Sequence, residues 1–251
     1  MRLNKTFAVV MVLAFGVVGR AGASCSSASL KGNFGFVLSG LDSSFYFTVS
    51  GGLLTLNGAG GVTGTETTSD NGVITNSVAV TGRYAIKTNC SGTLTITPSG
   101  GSAQSYSVVI DSTDTRLEMI QTNAGYTVSG YALAQGTVTC TLEGVKGTYG
   151  YYGSGWQTSP TQYPTAIAGQ VTTDGLGNLK GFQTGSAAGT ILYPTVSGTY
   201  TVNSDCTGTT TTTTSLGITA HSNSILVNSG RTVFQIGTDA GTIGYSVGQK
   251  Q

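Results

Sequence analysis

The chain repeats itself. Gly82-Arg83-Tyr84-Ala85-Ile86-Lys87-Thr88-Asn89-Cys90-Ser91-Gly92 and Gly198-Thr199-Tyr200-Thr201-Val202-Asn203-Ser204-Asp205-Cys206-Thr207-Gly208 share their glycines, tyrosine and cysteine at a single offset of 116 residues. Each copy reads as a strand, a cysteine-bearing turn and a second strand. The match extends in both directions. Cys25-x6-Gly32-x2-Gly35-x4-Gly40 corresponds to Cys140-x6-Gly147-x2-Gly150-x4-Gly155. Asn57-Gly58-Ala59-Gly60 corresponds to Asp174-Gly175-Leu176-Gly177, and Thr122-Asn123-Ala124-Gly125 to Thr238-Asp239-Ala240-Gly241. So long a period marks a duplicated domain and not a solenoid repeat. We place the first repeat at 24–136 and the second at 137–251.

Residues 1–23 stand outside the duplication. Arg2 and Lys5 precede an apolar run from Phe7 to Val18, and Ala21-Gly22-Ala23 follows. This is the layout of a secretory signal cleaved near Ala23, and the run is shorter than the roughly 20 residues a membrane span needs. Cys25 raises a lipoprotein alternative, but Gly22-Ala23-Ser24 lacks the large aliphatic residue usual there. The whole chain has 11 Lys+Arg and 10 Asp+Glu. Without Arg2, Lys5 and Arg20 it keeps 8 against 10, near −2. So weak a charge implies no nucleic-acid partner and no attraction to anionic lipid. Charged residues make up 8% of the chain, far below the usual quarter, and Gly, Ser and Thr replace them. A secreted, periplasmic or cell-surface location is expected.

Cys25 and Cys90 occupy the same places in the first copy as Cys140 and Cys206 in the second. Of the three possible pairings, the duplication favours Cys25–Cys90 and Cys140–Cys206. An oxidising compartment permits both. The alternative, one four-cysteine metal site, would draw ligands from both domains, and no C-x2-C pair is present. No metal and no cofactor is expected.

Period-2 alternation runs almost throughout. In copy one it marks strands over 33–38, 45–56, 61–67, 73–80, 82–88, 93–97, 105–110, 116–121 and 126–133. Asn57-Gly58 is read as a hairpin turn of type I′, and Asp70-Asn71-Gly72 as a second turn. The threonine run Thr209–Thr214 reads as an exposed strand. No stretch has helical spacing. The expected fold is all-β, two tandem antiparallel eight-stranded barrel-like domains, since a closed meander has no free edges. Gly32-Asn33-Phe34 and Gly147-Thr148-Tyr149 resemble the opening of lipocalin-type barrels. The tandem layout resembles secreted repeat proteins of environmental bacteria without assigned activity. The first resemblance implies a closed barrel, filled or holding one small ligand; neither carries over a functional residue.

The sequence offers little catalytic chemistry. His221 is the one histidine, read as lying in a Ser/Asn-rich turn without a counterpart in copy one. No G-x-S-x-G elbow is present. Carboxylate pairs able to hydrolyse glycosides are hard to assemble. Asp70, Asp174 and Asp239 sit in turn signatures, Glu118 lies beside Arg116 on a solvent face, and Glu66 aligns with Gln183. No catalytic residue is expected, and the chain is read as a non-enzyme. Tyr152, Trp156 and Tyr163 are aromatics without partners in copy one, on what reads as a loop. They are the candidate ligand-binding residues; the competing reading makes them a plug on the barrel end. The favoured function is an exported binding module for a small apolar or saccharide ligand, without membrane insertion. The alternative is a structural or adhesive envelope protein with no such ligand. Oligomeric state is not legible.

Overall fold

The computed structural model describes residues 25–251, so the signal-type segment lies outside the described residues. The fold is two closed, eight-stranded antiparallel barrels in tandem. The first runs β1 (Lys31–Leu41), β2 (Phe47–Asn57), β3 (Gly61–Asp70), β4 (Val73–Ile86), β5 (Ser91–Pro98), β6 (Gln104–Ile110), β7 (Arg116–Gln121) and β8 (Thr127–Ala134). Each strand pairs with the next, and β8 returns to β1. The second runs β9 (Gly147–Gln157), β10 (Tyr163–Thr173), β11 (Asn178–Ala187), β12 (Thr190–Leu192), β13 (Thr195–Tyr200), β14 (Thr207–Thr214), β15 (Thr219–Val227), β16 (Thr232–Gly237) and β17 (Thr242–Lys250). Here β17 pairs back onto β9, and β12 is a short flap on β11. Among the described residues no helix is long and apolar enough to cross a membrane.

Two local readings change. The strands expected over 73–80 and 82–88 are one strand, β4, because Gly82 continues the ladder. A Cβ at Gly82 would collide with the Thr95 carbonyl on β5; at the equivalent Gly198 it would collide with that of Thr211. Glycine is therefore repeated for close approach, not for a break. The I′ pair is Asn71-Gly72, with φ of 47° and 79°. Asn57 instead opens a longer turn, its carboxamide oxygen accepting from the Ala59 and Gly61 amides at 2.8 and 2.9 Å.

The repeated tyrosine and cysteine fasten one end of each barrel. A 3-10 turn precedes each first strand, Ser27–Ser29 and Glu143–Val145. Tyr84 Oη donates to the Leu30 carbonyl at 2.6 Å and accepts from the Gly58 amide at 2.9 Å. Tyr200 Oη accepts from the Gly175 amide at 3.1 Å and donates to the Leu142 carbonyl at 3.3 Å. The disulfides are Cys25–Cys90 and Cys140–Cys206, as the duplication requires. Cys90 and Cys206 both hold positive φ, 66° and 65°, so the two turns share one backbone path.

Alternation then decides which side chains fill each barrel. In the first, Phe34, Phe36, Leu38, Leu54, Leu94, Ile96, Tyr106 and Met119 point inward and are buried together. Thr93, Thr95 and Thr97 take the other face of β5. A second apolar cluster lies between the barrels. Val37, Val49 and Leu53 from β1 and β2 meet Ile225, Val227, Phe234 and Ile236 from β15 and β16. Gly35 and Gly51 leave room for this contact: a Cβ on Gly35 would strike Val227 and Ile225, and one on Gly51 would strike Ile236. Polar bonds border it, including Ser69 Oγ to the Thr242 carbonyl at 3.0 Å and Gln135 Nε2 to the Asp205 carbonyl at 2.8 Å.

Candidate functional site

The second barrel is hollow. Its lumen is a cavity of about 560 Å³, within the roughly 300–1,000 Å³ of small-molecule pockets. The reason lies in the interior-facing positions. Strand register pairs Leu94 with Tyr106 in one barrel and Thr210 with Ser222 in the other, so these positions are equivalent. In the same way Val108 becomes Ser224, Met119 becomes Gln235, Val128 becomes Gly244 and Leu38 becomes Gly153. Every exchange removes volume, and together they empty the centre that copy one fills.

The wall is apolar below and hydroxyl-rich above. Val145, Leu179, Val196, Tyr200, Cys206 and Leu226 close the disulfide end. Across β14 to β17 runs a hydrogen-bonded band. Thr210 Oγ1 and Ser224 Oγ lie 2.8 Å apart, Gln235 Nε2 donates to Thr210 Oγ1 at 3.0 Å, and Ser246 Oγ donates to Gln235 Oε1 at 2.8 Å. Opposite, Tyr151 Oη donates to Gln183 Oε1 at 2.8 Å, and Tyr149 Oη donates to the Gly230 carbonyl at 3.2 Å. Burial pushes both phenols up to about 12, so they remain neutral hydrogen-bonding groups. These polar atoms mostly satisfy one another, which leaves a wall of methyl and ring surface for a ligand.

His221 is on β15, not in a turn, and borders the open end of the cavity. Asp239 does not cap its own turn as read from the sequence. Its carboxylate accepts from the His221 amide and lies 2.7 Å from His221 Nδ1. Among the described residues the His221 side chain bonds no hydroxyl or thiol. No cluster of three or more His, Cys, Asp or Glu able to hold a metal occurs among the described residues.

The aromatic trio does not converge on the lumen. Gly153-Ser154-Gly155 is strand, not loop, so alternation turns Trp156 outward. Its ring packs 6.4 Å from that of Phe47 in the first barrel, and the residue also borders the cavity. Tyr152 stands half-exposed on the outer wall beside Tyr131 of the first barrel. Tyr163 starts β10 opposite Gln157 and does not line the cavity. Tyr149 and Tyr151, read as strand core, do line it, together with Tyr200 at the floor and Tyr245. The threonine run divides: Thr210 and Thr212 line the lumen, while Thr209, Thr211 and Thr213 alternate to the other face. Comparing the two copies at inward positions was the signal able to find this cavity.

Fold and site together define a duplicated pair of closed antiparallel barrels, one packed and one hollow. No protein-family model matches the chain, and no curated protein matches it. Among solved structures it is similar to a protein of unknown function of the DUF3598 family from Nostoc punctiforme. That match has 12% identity and a TM-score of 0.27, and covers 89% of this chain and 97% of that one. A likeness at this level transfers nothing to the present chain.

Proposed function

We propose that the protein is an exported, non-catalytic binding module whose second barrel encloses a small, largely apolar ligand. The observation that carries this is the contrast between two copies of one fold: equivalent positions hold Leu, Val and Met where the barrel is packed, and Thr, Ser and Gln where it is hollow. Emptying a core costs stability, so a lumen of this size speaks for an occupant. The wall favours apolar surface with one or two hydroxyls over a charged ligand, since His221 and Asp239 pair with each other. Two disulfides speak for an oxidising compartment. In the first barrel the inward apolar and outward threonine faces of β5 are the reverse of a lipid-facing strand, which supports a water-borne protein.

The test is to refill the lumen with the first barrel's own side chains. In Thr210→Leu/Ser224→Val/Gln235→Met the hydroxyl band is replaced as a unit by a set that packs in the same register in copy one. The wild type should enhance N-phenylnaphthylamine fluorescence with single-site saturation. The refilled variant should bind at least about tenfold more weakly and melt higher. Equal binding by the two proteins, or none by the wild type with apolar and saccharide probes alike, defeats the reading and leaves a structural surface protein.

A further inference from the structure

The first barrel is packed along most of its length but not at the end away from its disulfide. There a cavity of about 370 Å³ lies under the β5–β6 connection, with Thr68, Thr75, Gln104 and Tyr126 on its wall and Glu66 at its inner end. Glu66 is 2% exposed. Its Oε2 accepts from Gln104 Nε2 at 3.1 Å, and Gln104 is itself held by Tyr106 Oη, which donates to Gln104 Oε1 at 2.7 Å. Its Oε1 is buried and accepts no hydrogen bond from any described residue.

An unpaired acid inside a barrel carries a desolvation penalty that a paired or neutral group avoids. The fold does not demand it. Glu66 lies opposite Gly52 as Gln183 lies opposite Gly169, so the two are equivalent, and copy two uses the neutral amide with its oxygen satisfied by Tyr151. The acid is thus specific to copy one. Its surroundings supply no counter-ion. Ser50 on β2, a neutral hydroxyl close enough to offset part of the burial, Val78 on β4, and Gln104 and Tyr106 on β6 pack against it, Tyr126 is the further titratable group at the cavity wall, and no Lys, Arg or His lines the space. A metal ion would want more oxygen ligands than one carboxylate. The missing partner is a single donor, and a cationic one is favoured most.

We propose that this cavity is a second binding site, selective for a small primary amine whose ammonium group donates to Glu66 Oε1 while its carbon skeleton fills the space beside Val78 and Tyr126. Burial holds the empty carboxyl near 7, well above its ordinary 4.5. An arriving ammonium favours the carboxylate, so binding just below neutral pH releases a proton.

The test titrates the full mature chain calorimetrically with phenethylamine and with its neutral isostere 2-phenylethanol, just below neutral pH, in two buffers of different protonation enthalpy. The amine should bind at least about tenfold more tightly than the alcohol, with a buffer-dependent heat that reports proton release. Glu66→Gln should lose the preference while still binding N-phenylnaphthylamine in the second barrel, which shows that it is folded. Equal binding of amine and alcohol, an amine affinity unchanged in Glu66→Gln, or no amine binding at millimolar concentration overturns the proposal. Each of these outcomes leaves the second barrel's reading to its own probe.

Discussion

Glu66 and Gln183 occupy one place in two copies of a barrel, and the difference of a proton-bearing group has a consequence for stability. Burial disfavours the carboxylate, so the folded chain keeps a proton near pH 7 that the unfolded chain has released above about 4.5. With the folded value raised, the stabilisation is complete below 4.5 and is lost as pH rises through 7. The full difference is on the order of 3 kcal/mol. Melting temperature should therefore fall from mildly acidic to alkaline pH, and Glu66→Gln should remove that fall and melt above the wild type on the alkaline side. Thermal melts of both proteins across the range decide it; parallel curves would contradict the assignment. At this scale the sequence was uneven. Cysteine pairing was legible because duplicated positions pair within their own copy. Glu66 was seen to align with Gln183, but its burial was not visible, since Thr65-Glu66-Thr67 reads as an ordinary polar stretch until the barrel closes around it.

At the scale of the strand, alternation predicted the fold but not the meaning of each face. A period of 2 says that neighbours point opposite ways; it does not say which way is the lumen and which is the other barrel. Trp156 illustrates this. Its glycine-rich approach reads as loop, and only the pairing of β9 with β10 and β17 shows it to be strand, its ring turned onto Phe47. Because it is the chain's one tryptophan, its emission reports the docking of the barrels. Gly35→Val places a side chain where Val227 and Ile225 sit. It should shift Trp156 emission to longer wavelength and lower stability by about 1–3 kcal/mol. An unshifted spectrum would mean that the glycine is not what lets the two faces meet.

For the whole molecule, the two disulfides have nearly equal spans but unequal tasks. They link residues 65 and 66 positions apart, worth about 4 kcal/mol each by loop closure. Cys206, however, is fully buried in the floor of the hollow barrel beside Tyr200 and Leu226. Cys140→Ser/Cys206→Ser should therefore weaken apolar probe binding as well as lower the melting temperature, whereas Cys25→Ser/Cys90→Ser should lower the melting temperature and spare that binding. Parallel melts and probe titrations of the two double variants separate the outcomes, and equal losses of binding would show that the floor does not depend on its own bridge. The tightest apolar packing of the second barrel, at Phe234, Ile236, Ile225 and Val227, faces away from its own lumen and onto its neighbour. This makes the hollow copy a dependent one. Parted from its twin, it would have a depleted inside and an uncovered outside at once. What the vacant interior forgoes in packing, the shared wall between the barrels supplies.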